Sequence, residues 1–123
     1  MREIKFRGLG TDGNWWYGES NPQGEYHVNL ATFFANVHAG AIRPETVGGW
    51  TGLKDKNGVE IYEGDIFPFE GRNLIVRYEL GAVVGQWYGS NEYIFFDHYA
   101  NDDEVEVIGN IYENKELLNE TSL

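Results

Sequence analysis

The sequence predicts an all-β protein with one or two short helical turns, arranged as an N-terminal β-hairpin lobe packed on a small SH3-like or OB-like barrel. Three observations carry that expectation. Short runs alternate polar and apolar residues, glycines (16 in 123 residues) stand where the runs stop, and 15% of the chain is aromatic. Alternation at period two marks a strand with one buried face. Aromatic and β-branched side chains suit a pleated surface, and glycine supplies the turns and bends of short curled strands. A hydrophobic share of 41% is enough to bury a core, which excludes a disordered chain.

Residues 3–9 (Glu-Ile-Lys-Phe-Arg-Gly-Leu) alternate cleanly, Thr11-Asp12-Gly13-Asn14 is a turn cluster, and 15–18 resumes a strand, so 3–18 reads as a hairpin. Asn21-Pro22-Gln23-Gly24 turns the chain again before a short run at 26–30. Residues 30–39 predict one or two helical turns ended by Gly40, or else a loop, and Pro44 bars any continuation. Residues 45–50 read as a strand. The Asn57-Gly58 pair between apolar flanks predicts a type I′ turn that folds 53–62 back on itself.

From Asp65 onward the pattern is almost wholly strand, at 65–69, 74–80, 83–88, 93–96 and 105–112. Turns separate these runs at Glu70-Gly71, Gly81, 89–91 and 101–103. Five closely spaced strands point to the small barrel. The expected division is 1–62, a β lobe with the central hairpin, and 63–123, the barrel lobe. Residues 114–118 add a terminal helical turn, and 119–123 fray.

Nine Lys and Arg against 20 Asp and Glu give a net charge of −11. That sign opposes duplex DNA, whose binding needs cations to displace counterions, and it opposes an anionic membrane surface. Its first use is solubility; mimicry of nucleic-acid charge is the sharper alternative. The absence of cysteine excludes disulfides, thiolate catalysis and thiolate zinc sites. No apolar run approaches the roughly 20 residues of a membrane span, and Met1 to Phe6 lacks a signal-peptide core, so the expected compartment is the cytoplasm.

The chemistry-bearing residues do not assemble into a known catalytic pattern. There is no G-x-S-x-G elbow, and Gly8-Leu9-Gly10 lacks the lysine and helix of a phosphate loop. His27, His38 and His98 lack metal-ligand spacing, and Asp97 and His98, adjacent on a strand, would diverge. No enzyme and no cofactor are expected. Glu63 and Asp65 share a strand face and are weak candidates for a divalent cation. Their favoured role is a hairpin exit, with Asp65 accepting backbone hydrogen bonds.

The aromatics carry more. Trp15, Trp16, Trp50, Tyr62 and Trp87, with Tyr17 and Tyr88, include adjacent pairs that cannot share one face of a strand. The surplus ring surface predicts subunit contact first, a second covered sheet face next, and a ligand platform third. With Arg43 or Arg77 nearby, and Arg7 or Arg72 as others, such a platform would hold a small nucleotide-like ligand by stacking and phosphate pairing.

The run Val47-Gly48-Gly49-Trp50-Thr51-Gly52-Leu53-Lys54-Asp55-Lys56-Asn57-Gly58-Val59-Glu60-Ile61-Tyr62-Glu63-Gly64-Asp65-Ile66 resembles the signature of the YopX family, small proteins of bacteriophages and prophages. Ile4-Lys5-Phe6-Arg7 is similar to that family's opening. Val107-Ile108-Gly109-Asn110-Ile111-Tyr112-Glu113-Asn114 followed by Leu117-Leu118 is similar to its close. Two departures stand out: a glycine-rich neutral stretch where the family has a lysine-rich segment after the first strand, and Glu116 where proline is common.

The resemblance implies an all-β, two-lobe architecture and self-assembly into a ring or other homo-oligomer; it implies no reaction, cofactor or catalytic residue. The expected function is therefore a phage accessory protein that binds a host protein or a nucleotide-like ligand in the host cytoplasm. Two alternatives stand beside it. One is an acidic mimic inhibiting a host nucleic-acid-binding protein, the other a metal-dependent enzyme using Glu63 and Asp65.

Overall fold

The computed structural model describes residues 3–96 and 104–119. The protein is mostly β, with two sheets and short helices, as the alternation predicts. It divides into two units, one ending at Trp50 and the next beginning at Thr51.

In the first unit, β1 (Lys5–Leu9) and β2 (Trp15–Glu19) form the expected hairpin, with Leu9 opposite Trp15 and Lys5 opposite Glu19. β3 (His27–Val28) adds to β2 in parallel, and β4 (Gly48–Lys54) pairs with β1 through Gly48 and Gly49. Residues 30–38 form a helix. α1 (Leu30–His38) is capped by Asn29, whose side chain accepts from the Thr32 N–H at 2.8 Å, and it stops before Gly40 at φ +86°. The strand expected at 45–50 begins late because Pro44–Thr46 is a 3₁₀ turn, in which proline's missing N–H costs no ladder bond.

Within β1 and β2, glycine supplies room rather than a turn. A Cβ on Gly18 would lie 2.7 Å from Phe33 Cγ, and one on Gly8 would lie 2.5 Å from Ile42 Cγ2 and 3.3 Å from Phe33 Cζ. The bare backbone of β1 and β2 thus forms the floor on which Phe33, fully buried, is seated. Phe34 closes the edge against Phe6, ring centroids 5.2 Å apart in a T-shaped pair.

The second unit begins inside β4, earlier than the boundary at Tyr62 that the sequence suggests. The reason is that the central hairpin is built into this unit's core. Thr51 donates its hydroxyl to the Ile61 carbonyl at 2.7 Å, and Ile61 is fully buried among Phe67, Leu74 and Val76. The hairpin's second strand is β5 (Glu60–Tyr62). Its turn is not type I′, because Gly58 takes a positive φ (+82°) and Asn57 does not. Asp55 decides this: its Oδ1 accepts from the N–H groups of Asn57 and Val59, both at 2.9 Å, and holds an ordinary turn with a glycine bulge.

The other Asp55 oxygen accepts from the Val107 N–H at 3.0 Å, and Lys56 N–H donates to the Val105 carbonyl at 3.0 Å. Three backbone donors therefore meet one buried carboxylate.

The main sheet of this unit runs β10-β6-β7-β8-β9, with β6 at Asp65–Phe69, β7 at Arg72–Glu79, β8 at Ala82–Trp87, β9 at Tyr93–Phe95 and β10 at Gly109–Asn110. Among the described residues it is an open sheet, with β9 and β10 at its two edges, where a closed barrel was expected. The run at 105–112 contributes only two ladder residues: its first part bonds to the hairpin tip, and Asn110 turns the chain by accepting from the N–H groups of Tyr112 and Glu113. The turn expected at 101–103 lies outside the described residues.

One face of this sheet packs Phe67, Leu74, Val76 and Ile94 with Ile61, Phe96 and Val105; the other seats Ile66 and Ile75 against Leu118 of α2 (Glu116–Asn119). Among the described residues no helix is long and apolar enough to cross a membrane.

True two-residue left-handed turns occur at Glu70-Gly71 (φ +51° and +80°) and Leu80-Gly81 (φ +52° and +78°). Leu80 is 86% exposed, so its side chain gains little there while its backbone sits where a Cβ is disfavoured. Leu80→Asn is expected to stabilise the protein by about 1 kcal/mol, read as a higher urea midpoint. A lower midpoint would show that Leu80 makes contacts worth more than its strain.

Candidate functional site

The register of β7 and β8 sets the site. Ile75 lies opposite Gln86, Arg77 opposite Val84, and Leu74 opposite Trp87. The pleat therefore places Ile75, Arg77 and Gln86 on one face, and Leu74, Val76 and Trp87 on the other. Trp87 packs against the core on its own face.

Beyond Trp87 the chain turns through Tyr88, Gly89 (φ +78°), Ser90 and Asn91. Gln86 Nε2 donates to the Ser90 carbonyl at 2.8 Å, and the Ser90 hydroxyl accepts from the Glu92 N–H at 2.9 Å. This tied turn and the face of Ile75, Arg77 and Gln86 line an open cavity of about 390 Å³.

Among the described residues Arg77 is the sole charged one lining it. The side chain is half-buried and makes no hydrogen bond or ion pair to any described residue. Tyr88, 54% exposed, stands at the rim. A guanidinium, a phenol ring, two amides and a hydroxyl around an apolar floor can hold an anion joined to a planar ring. A second cavity of about 280 Å³, lined by Glu70, Arg72, Trp87 and Glu92, adjoins Trp87, with the Arg72 guanidinium 6.0 Å from the indole centroid.

The structure brings Arg77 and Trp87 to one cavity and leaves the other aromatic candidates elsewhere. Trp15 is covered by Arg7 at 4.5 Å, Trp50 by Lys5 at 5.0 Å, and Trp16 meets Tyr26 edge-on at 5.1 Å. Trp16 also donates from Nε1 to Asp12 at 3.4 Å. The Asn14 N–H at 3.0 Å is the main cause that holds the Asp12 carboxyl below its ordinary value. Arg43 is exposed at the start of the 3₁₀ turn, and Tyr62 is buried with its hydroxyl 3.2 Å from Glu60.

Asp65 is buried and accepts from the Tyr62 N–H at 2.8 Å, the hairpin-exit role, while Glu63 is half-exposed in the turn. Among the described residues no three His, Asp or Glu side chains are grouped to hold a metal. His27 bonds through Nδ1 to Glu19 at 2.7 Å and stacks on Tyr17 at 4.7 Å. His38 is exposed at the last position of α1. Asp97, His98, Asp102 and Asp103 lie outside the described residues. Sequence reading missed Gln86, Ser90 and Asn91; the one available signal was a turn placed directly after Trp87-Tyr88.

A model of the YopX protein family matches residues 5–119. The crystal structure of protein EF1440 from Enterococcus faecalis is similar over 96% of this chain and 99% of that one, with a TM-score of 0.56 and 23% identity, a likeness of fold. No match is found among curated proteins.

Proposed function

The chain belongs to the YopX family, and on that premise we propose that it acts by binding rather than by catalysis, holding a small nucleotide-like anion in the cavity between β7, β8 and the turn at 88–91. The observation that supports this most is Arg77. Its guanidinium has no acidic partner among the described residues, and its nitrogens stay accessible, so the donors are open to an incoming anion. An anion in the cavity would supply the missing partner through two parallel hydrogen bonds. The cavity volume of about 390 Å³ falls within the 300–1,000 Å³ common for ligand sites.

The setting of the proposal is a phage or prophage accessory protein working as a homo-oligomer in the host cytoplasm. There its effect would be sequestration of a ligand that the host uses.

Thermal unfolding across a panel of nucleotides and simple organic anions tests it. A ligand at a hundred times its Kd should stabilise the protein by about 2.7 kcal/mol, and Arg77→Gln should remove that gain without shifting the unliganded transition. A flat panel, or a gain that survives Arg77→Gln, would sink the proposal. Solution mass by light scattering tests assembly separately, and a monomer at high concentration removes that part.

A further inference from the structure

The charge count of the cavity narrows its ligand, an inference that rests on the reading just given. We infer that the ligand is a mononucleotide whose phosphate is a phosphodiester with a single negative charge, a cyclic nucleotide, rather than a nucleoside polyphosphate. One guanidinium, from Arg77, is the whole positive charge that the described residues bring to the lining. It matches one phosphodiester bidentately.

Each further negative charge would find no cation among the described residues of the lining. It would also add to the charge of a chain whose net charge is already −11. Such excess charge has no counterpart in the site, and about tenfold in affinity is lost for each unmatched unit. A terminal phosphate monoester carries about −1.5 to −2 at neutral pH, and a triphosphate more.

Size points the same way. A volume of about 390 Å³ sits near the low end for ligand sites, enough for one base, one sugar and one phosphate. The amide of Gln86 has its nitrogen engaged by Ser90, which leaves Oε1 as an acceptor for a base N–H. Tyr88, exposed at the rim, offers a ring face for stacking.

Isothermal titration of the full chain with 3′,5′-cyclic AMP, 5′-AMP and ATP at physiological salt decides the matter. Cyclic AMP should bind at least tenfold more tightly than ATP, with 5′-AMP between them. Arg77→Gln should weaken cyclic AMP at least tenfold, and Arg77→Lys, which keeps the charge but not the fork, by less. Tyr88→Ala, at an exposed position, should weaken all three without altering the unliganded melting temperature. Arg77-dependent binding of ATP as tight as that of cyclic AMP would overturn the single-charge inference and leave the cavity reading intact. Failure of all three nucleotides to bind the folded wild-type chain would overturn both.

Discussion

Shortening Phe33 to alanine is expected to cost about 4 kcal/mol of stability, a large part of what a domain of this size holds. Phe33 is fully buried and is the side chain through which α1 engages the sheet of the first unit. The slot beneath it is shaped by Gly8 and Gly18, whose backbones cannot move inward to fill the vacated volume without breaking the β1–β2 ladder. The cavity term therefore adds to the lost transfer energy rather than relaxing away. Urea unfolding followed by tryptophan fluorescence reads the effect, since Trp15 and Trp16 both lie in β2. A loss below about 1 kcal/mol would mean that the seat closes over the smaller residue and that the glycine floor is not rigid.

Asp55→Ala should cost a comparable amount, about 4 kcal/mol at neutral pH, because it strands three backbone N–H groups that bond to one carboxylate. Burial pushes the Asp55 pKa up, but the N–H groups of Val107, Val59 and Asn57, aided by Lys56, outweigh it and hold the carboxyl below its ordinary value. A carboxyl lowered in the folded state stabilises fully above its unfolded pKa of about 3.9, and that contribution fades as the pH falls through the folded value. The gap between wild type and Asp55→Ala should therefore be widest at neutral pH and shrink below about pH 4. A gap that stays constant down to pH 2.5 would show that the ionised form carries none of the effect.

Strand positions were legible because alternation and turn residues act locally. β1, β2, β6, β7 and β8 fall close to where the polar–apolar pattern places them. Turn type was not legible at Asn57-Gly58, since the Asp55 carboxylate, two residues upstream, overrides the dipeptide's own preference. The left-handed pairs sit instead at Glu70 and Leu80, residues that give no such signal by themselves and are held there by the strands on either side.

The glycine excess was half understood. Gly13, Gly58 and Gly81 do turn the chain, but Gly8, Gly18 and Gly85 make room for rings; a Cβ on Gly85 would lie 2.6 Å from Phe67 Cζ. That use depends on what packs above the strand, which no local pattern reveals. For the site, Arg77 and Trp87 were named from the sequence and do line one cavity. The register that turns Arg77 toward Gln86 and Trp87 toward Leu74 is a pairing fact, invisible until β7 and β8 are set side by side.

The contact between Asp55 and Val107 spans 52 positions of the chain, and it has a consequence for biosynthesis. During translation the hairpin at 53–62 leaves the ribosome long before the residues that complete its tip. Until position 107 emerges, the Asp55 carboxylate can grip only the two donors of its own loop, Asn57 and Val59. The hairpin would thus remain a provisional structure on the nascent chain and lock only once Val107 is free to reach it.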